Sequence, residues 1–72
     1  MEYIIVSFPS SRAVCIDGEK GGMTNDKLHI EAGTHEFDLG NPKDYVPDMQ
    51  EVEVVGTTVL QPKVIMFSRK EL

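Results

Sequence analysis

Two histidines, one cysteine and a run of oxygen-bearing side chains are the groups in this sequence that could do chemistry. His29 and His35 could ligate a metal or carry a proton. Cys15 could act as a nucleophile if a neighbouring base lowered its pKa. Asp38, Asn41, Asp44 and Asp48 could surround a hard cation. Asp17 to Gly22, "DGEKGG", is dense in glycine and charge, and such loops can cradle phosphate on their backbone N–H groups. Each possibility depends on which elements hold these residues and which way they face.

Apolar residues recur at spacing two, in short runs separated by Gly, Pro, Asn and Asp, which is the pattern of strands and turns. From Glu2 to Phe8 the chain puts Ile4, Val6 and Phe8 on one face and Tyr3 and Ile5 on the other, and Pro9 ends the run. From Arg12 to Asp17, Val14 and Ile16 share a face opposite Ala13 and Cys15. A short extended piece lies around Gly22 to Thr24. The segments "KLHI" and "HEFDL" read as a hairpin turning at Ala32-Gly33, with Ile30 opposite His35 and Leu28 opposite Phe37. In "QEVEVV", Val52 and Val54 alternate with Glu51 and Glu53. Pro62, which lacks an N–H, marks the final apolar run as an edge or a bulge. The fold class expected is all-β, a small antiparallel β-sandwich of six to seven short strands forming one domain over residues 1–72, with Ser68 to Leu72 as a frayed tail.

Placed on these elements, most of the chemistry recedes. The hairpin register puts His29 and His35 on opposite faces, so they do not converge on one ion. His35 shares a face with Phe37 and Leu39 and is expected to be a hydrogen-bonded, largely buried histidine. Cys15 sits mid-strand, where packing is its expected role. Serines 7, 10 and 11 lack the G-x-S-x-G setting of a nucleophile elbow. The acidic loop does not follow the spacing of a calcium loop. A phosphate loop needs a helix after the glycines, whereas another extended piece follows "DGEKGG". Asp17-Gly18 is instead a hairpin turn, with Gly18 at positive φ and Asp17 bonding its own backbone, and Gly21-Gly22 suggests a bulge or a tight bend as the chain turns toward the other sheet.

Composition excludes further classes. A chain of 72 residues sits near the lower limit for a single apolar core, with an expected stability of a few to about 10 kcal/mol, which disfavours a deep catalytic cavity. The net charge of −5 offers no cationic footprint for nucleic acid. No apolar run approaches the roughly 20 residues of a membrane span, so membrane insertion is not expected. The lone cysteine cannot form an internal disulfide. The start "MEYIIVSFP" lacks the basic region of a signal peptide, so the chain as written reads as cytoplasmic. An excised domain of an extracytoplasmic or envelope protein would read the same way.

In order along the chain, Pro9, Val14-Cys15-Ile16-Asp17-Gly18, Gly22-Met23-Thr24, Leu28, Gly33-Thr34-His35-Glu36-Phe37 and Tyr45 resemble the PEGA domain family. That family runs as P-E-G-A-x-V-x-V-D-G, then G-x-T-P, then L-x-x-G-x-H-x-V, then G-Y and two further strands. The likeness spans Phe8 to Phe67. The chain departs from it in three places: Ser10-Ser11-Arg12 replaces the rest of the tetrapeptide, Asn25 stands for the second proline, and Asp44 precedes Tyr45 where the family has glycine. The resemblance implies a divergent, non-enzymatic, prealbumin-like β-sandwich of the kind embedded in larger bacterial or archaeal proteins, mediating contacts.

The function expected is therefore a non-catalytic module for protein–protein contact or self-association, with no cofactor and no metal. The alternative is carbohydrate binding by Tyr45 together with Asn41, Asp44 and Asp48 in the 41–48 loop, Tyr45 stacking on a sugar. The competing role for Tyr45 is a loop anchor packed on the sandwich edge.

Overall fold

The computed structural model describes residues 1–70 and is all-β, with no helix among them. The strands are β1 (Glu2–Ser7), β2 (Ala13–Ile16), β3 (Glu19–Met23), β4 (Lys27–Ile30), β5 (Gly33–Asp38), β6 (Tyr45–Val46), β7 (Gln50–Val54), β8 (Lys63–Met66) and β9 (Ser68–Arg69). One sheet has the order β4-β1-β8, a second β3-β2-β5-β7, and β6 and β9 form a two-stranded clip. Strands β6 and β9 bring the number above the six to seven expected. All pairings are antiparallel except β1 with β8, which run parallel.

The alternation read from the sequence holds. Ile4, Val6 and Phe8 are buried, as are Val14, Phe37, Val54, Ile65 and Phe67, and they meet between the two sheets with Ile30, Leu39 and Tyr45. Period-two patterning works here because each sheet buries one face only, so residues two apart in β1, β2, β5, β7 and β8 enter the core together.

The Asp17-Gly18 turn joins β2 to β3 with both residues at positive φ, 53° and 85°, and Ile16 paired to Glu19. These are the angles a two-residue primed turn requires. The bulge also stands where the glycines suggested it. Val14 pairs with Gly22 but Cys15 pairs with Lys20, so Gly21 is the extra residue. An added Cβ at Gly22 would lie 2.5 Å from Leu28 Cδ2, so a side chain there would force Leu28 of β4 to move.

Two expectations are corrected. Residues Lys27–Asp38 do not form a hairpin: β4 pairs with β1 in one sheet and β5 with β2 and β7 in the other. Glu31-Ala32 crosses the sandwich, and Gly33 takes φ 131° on the far side. The apolar faces of Ile30 and Phe37 therefore meet across the core rather than along one ladder. The expected tail is also ordered in part, because Ser68 and Arg69 pair with Val46 and Tyr45. Glu71 and Leu72 lie outside the described residues.

Candidate functional site

The 41–48 loop is organised by Arg12, a residue without a place in the resemblance. Arg12 follows the Pro9-Ser10-Ser11 bend, and its backbone N–H donates to Thr24 Oγ1 at 2.8 Å. Thr24 is buried but satisfied, since its hydroxyl in turn donates to the Ser10 carbonyl. Fixed in this way, the Arg12 guanidinium reaches across the loop. Nη2 donates to the carbonyls of Leu39 (3.1 Å) and Pro42 (2.9 Å), and Nη1 donates to the Asp44 carboxylate. The guanidinium also lies 5.6 Å from the Tyr45 ring centre and 5.8 Å from that of Phe8, within cation–π range. The Arg12 guanidinium holds the Asp44 carboxyl below the usual carboxylate range.

Tyr45 is fully buried, edge-on to Phe8 and Phe67, and its hydroxyl donates to the Gly40 carbonyl at 2.9 Å. It cannot present a ring face to a sugar, so the stacking role is corrected to that of the loop anchor. A flat aromatic flanked by core rings gains more from burial than from exposure, provided its hydroxyl finds a partner. Asn41 and Asp48 are exposed, and Asp44 is exposed but engaged by Arg12. Beside the loop, Pro42, Lys43, Asp44, Arg69 and Lys70 line an open concavity of 510 Å³. Its charge is predominantly positive, in a chain that is acidic overall.

The histidines do not meet, although the reason differs from the one expected. His29 lies exposed on the outer face of the first sheet, edge-on to Tyr3 with ring centres 4.8 Å apart. His35 belongs to the second sheet and is half-buried between two acceptors, Asp17 Oδ2 at 2.6 Å from Nδ1 and the Glu31 carbonyl at 2.8 Å from Nε2. Two acceptors favour the doubly protonated ring, and Asp17 first, then the Glu31 carbonyl, raises the His35 pKa above its ordinary value. Asp17 does not bond its own turn as expected. Oδ1 accepts the Glu36 N–H at 2.9 Å, and that bond, with the His35 contact second, lowers its pKa. The acidic residue of the turn thus ties the β2–β3 hairpin to β5.

Cys15 is half-buried opposite Asp38 on β5, and burial, reinforced by the Asp38 charge, pushes its thiol pKa up. That environment suppresses the thiolate a nucleophile needs. Among the described residues, no three His, Cys, Asp or Glu side chains gather closely enough to hold a metal ion. No helix among them is long and apolar enough to cross a membrane.

The exposed edge of β8 is the feature the loop reading missed. In the order β4-β1-β8 this strand has one side that no other strand among the described residues pairs with. Phe67 N–H donates to the Ser7 carbonyl at 2.9 Å, which in a parallel ladder directs the backbone groups of Val64 and Met66 away from β1. Their side chains are exposed on the sheet's outer face, Val64 by 52% and Met66 by 67%. Pro62 was the sequence signal for this edge. A scan against protein-family models and searches of curated proteins and of solved structures return no match.

Proposed function

We propose that this chain is a non-catalytic, PEGA-like β-sandwich interaction module that binds an extended polypeptide segment by adding it to a sheet. The observation that carries the reading is the edge of β8, which is unpaired among the described residues. A free edge offers main-chain bonds to an incoming strand, while alternate side chains set what fits. Here Val64 contributes an N–H and a carbonyl, Met66 an N–H, and the exposed Val64 and Met66 side chains supply apolar contact beside half-buried Ile5. The PEGA-like part of the reading is supported by the order of the motifs and by what their residues do: Asp17-Gly18 turns a hairpin, and Thr24 braces the bend before β2.

The other edges are poorer platforms. Strand β3 carries the glycine bulge, and β7 carries Glu51 and Glu53. On β4, Lys27 Nζ is drawn to the Val59 carbonyl. Bulges and charges of this kind are how sheet edges resist pairing. A titration of the ¹⁵N-labelled domain with a panel of extended, Val- and Ile-rich peptides tests the reading. Shifts should concentrate at the Val64 and Met66 amides, and a panel that leaves both unmoved, or moves only distant amides, would count against edge binding.

A further inference from the structure

The β8 edge is self-complementary about one residue, and this singles out its partner. The outward backbone groups near the centre of the edge are the Val64 N–H, the Val64 carbonyl and the Met66 N–H. The Met66 carbonyl already accepts Gln50 Nε2 from β7 at 2.6 Å, so the edge is closed at that end within the chain. At the other end stands Pro62, which has no N–H to give. In an antiparallel pairing of two β8 strands with the two-fold axis at Val64, Val64 faces Val64 and Met66 faces Pro62. The carbonyl that Gln50 occupies then falls opposite the residue that could not have served it. Shifting the axis to Ile65 would instead require the Met66 carbonyl to accept the Val64 N–H of the other copy while it holds Gln50. Shifting it to Lys63 would leave the Val64 carbonyl facing Pro62.

Charge agrees with this pairing. Lys27, His29, Tyr3, Ile5, Val64 and Met66 share the outer face of the first sheet, where none of its three strands places a carboxylate. The acidic residues Glu36, Glu51 and Glu53 lie on the outer face of the second sheet. Two chains of net charge −5 can therefore meet at β8 with apolar side chains adjoining, and Lys63 lies opposite Ile65 rather than its own copy.

We propose that two copies of this chain pair through β8, antiparallel and two-fold about Val64, fusing two three-stranded sheets into one of six strands. The inference deepens the interaction reading by naming a second copy as the partner. So short a ladder makes a small interface, and the dimer is a weak one with a dissociation constant on the order of 100 μM.

The test is sedimentation from about 10 μM to about 1 mM, combined with cysteine cross-linking in a Cys15→Ser background. Paired residues that exchange both backbone bonds stand about 5.5 Å apart at Cα, within disulfide reach, so Val64→Cys should oxidise to a covalent dimer. Met66→Cys should not, because its two copies are displaced by four residues, about 13 Å along the strand. Val64→Lys places like charges face to face and should weaken association at least tenfold, with thermal unfolding unchanged. A monomer at every concentration, or cross-linking of Met66→Cys as efficient as that of Val64→Cys, overturns the pairing. If the domain stays monomeric yet peptides shift the Val64 amide, only the self-pairing fails. If the peptides also leave that amide unmoved, the edge-binding reading fails with it.

Discussion

Arg12→Ala should cost this domain a large part of its stability, and the loss should come from the backbone carbonyls and rings that Arg12 serves rather than from its ion pair. Truncation removes a charge-assisted bond to the partly buried Leu39 carbonyl, worth about 1.5 kcal/mol, and one to the more exposed Pro42 carbonyl, about 1 kcal/mol. It also removes the guanidinium from beside Tyr45 and Phe8, about 0.5–1 kcal/mol. Asp44 is exposed, and water and salt screen its attraction to Arg12, so this contact adds little. The sum is about 3 kcal/mol. In a domain of this size 1 kcal/mol moves the melting temperature by about 4–8 °C, so the expected drop is about 12–24 °C.

The assay is thermal unfolding of four proteins: wild type, Arg12→Ala, Arg12→Lys and Asp44→Asn. Arg12→Lys keeps the charge but loses the planar fork that reaches two carbonyls at once, so it should fall between wild type and Arg12→Ala. Asp44→Asn should sit close to wild type. Amide exchange at Lys70, whose N–H donates to the Asp44 carbonyl, should quicken in Arg12→Ala as the loop loosens. The reasoning is refuted if Asp44→Asn destabilises as much as Arg12→Ala, because the ion pair would then be the dominant contact.

The Asp17–His35 contact makes stability depend on pH at both ends of a window. His35 has a raised folded-state pKa, so its contribution is complete below about pH 6.5 and is lost as pH rises through the folded value. Asp17 is lowered, so its contribution is present above about pH 3.8 and is lost as pH falls through its folded value. The urea midpoint of wild type should therefore decline as pH rises above about 6.5 more than that of His35→Asn, and equal slopes would contradict the role given to His35. Gly18→Val and Gly22→Ala separate backbone strain from crowding. Gly18, at φ 85° in open space, should cost about 1–2 kcal/mol, whereas Gly22, at φ 153° and against Leu28, should cost about 2–4 kcal/mol in chemical denaturation. Asn25→Pro, which would introduce the Thr-Pro step of the PEGA pattern that the sequence resembles, should destabilise by about 3 kcal/mol or more. Asn25 holds φ 65°, its N–H donates to the Val6 carbonyl, and its amide bonds the Phe8 backbone in both directions. An Asn25→Pro variant that unfolds at the same denaturant concentration as wild type would refute that account.

Much of the sandwich is written along the chain. Alternation in β1 and β7 tells which side chains enter the core, because residues two apart on a strand share a face wherever the strand ends up. The Asp17-Gly18 turn and the Gly21-Gly22 bulge were legible for a similar reason: they rest on the φ angles of single residues. Pro62 announced an edge or a bulge through a missing N–H, and the strand after it is an edge. None of these signals depends on a distant neighbour.

What stayed hidden is choice of partner. The pattern of Leu28, Ile30 and Phe37 is the same whether β4 and β5 pair in one hairpin or face each other across the core, since period two sets a face and says nothing of the neighbour. The parallel meeting of β1 and β8 joins opposite ends of the chain with no local turn to signal it. Tyr45, with a polar tip on an apolar ring, suits exposure or burial equally by composition, and only the positions of Phe8, Phe67 and the Gly40 carbonyl decide for burial. The three long-range side-chain bonds of Arg12 and the open side of β8 are likewise properties of the assembled sheets. Side-chain direction and turn angle are local and could be read from residue types alone, whereas sheet membership, edges and cross-loop bonds exist only once strands distant in sequence have packed together.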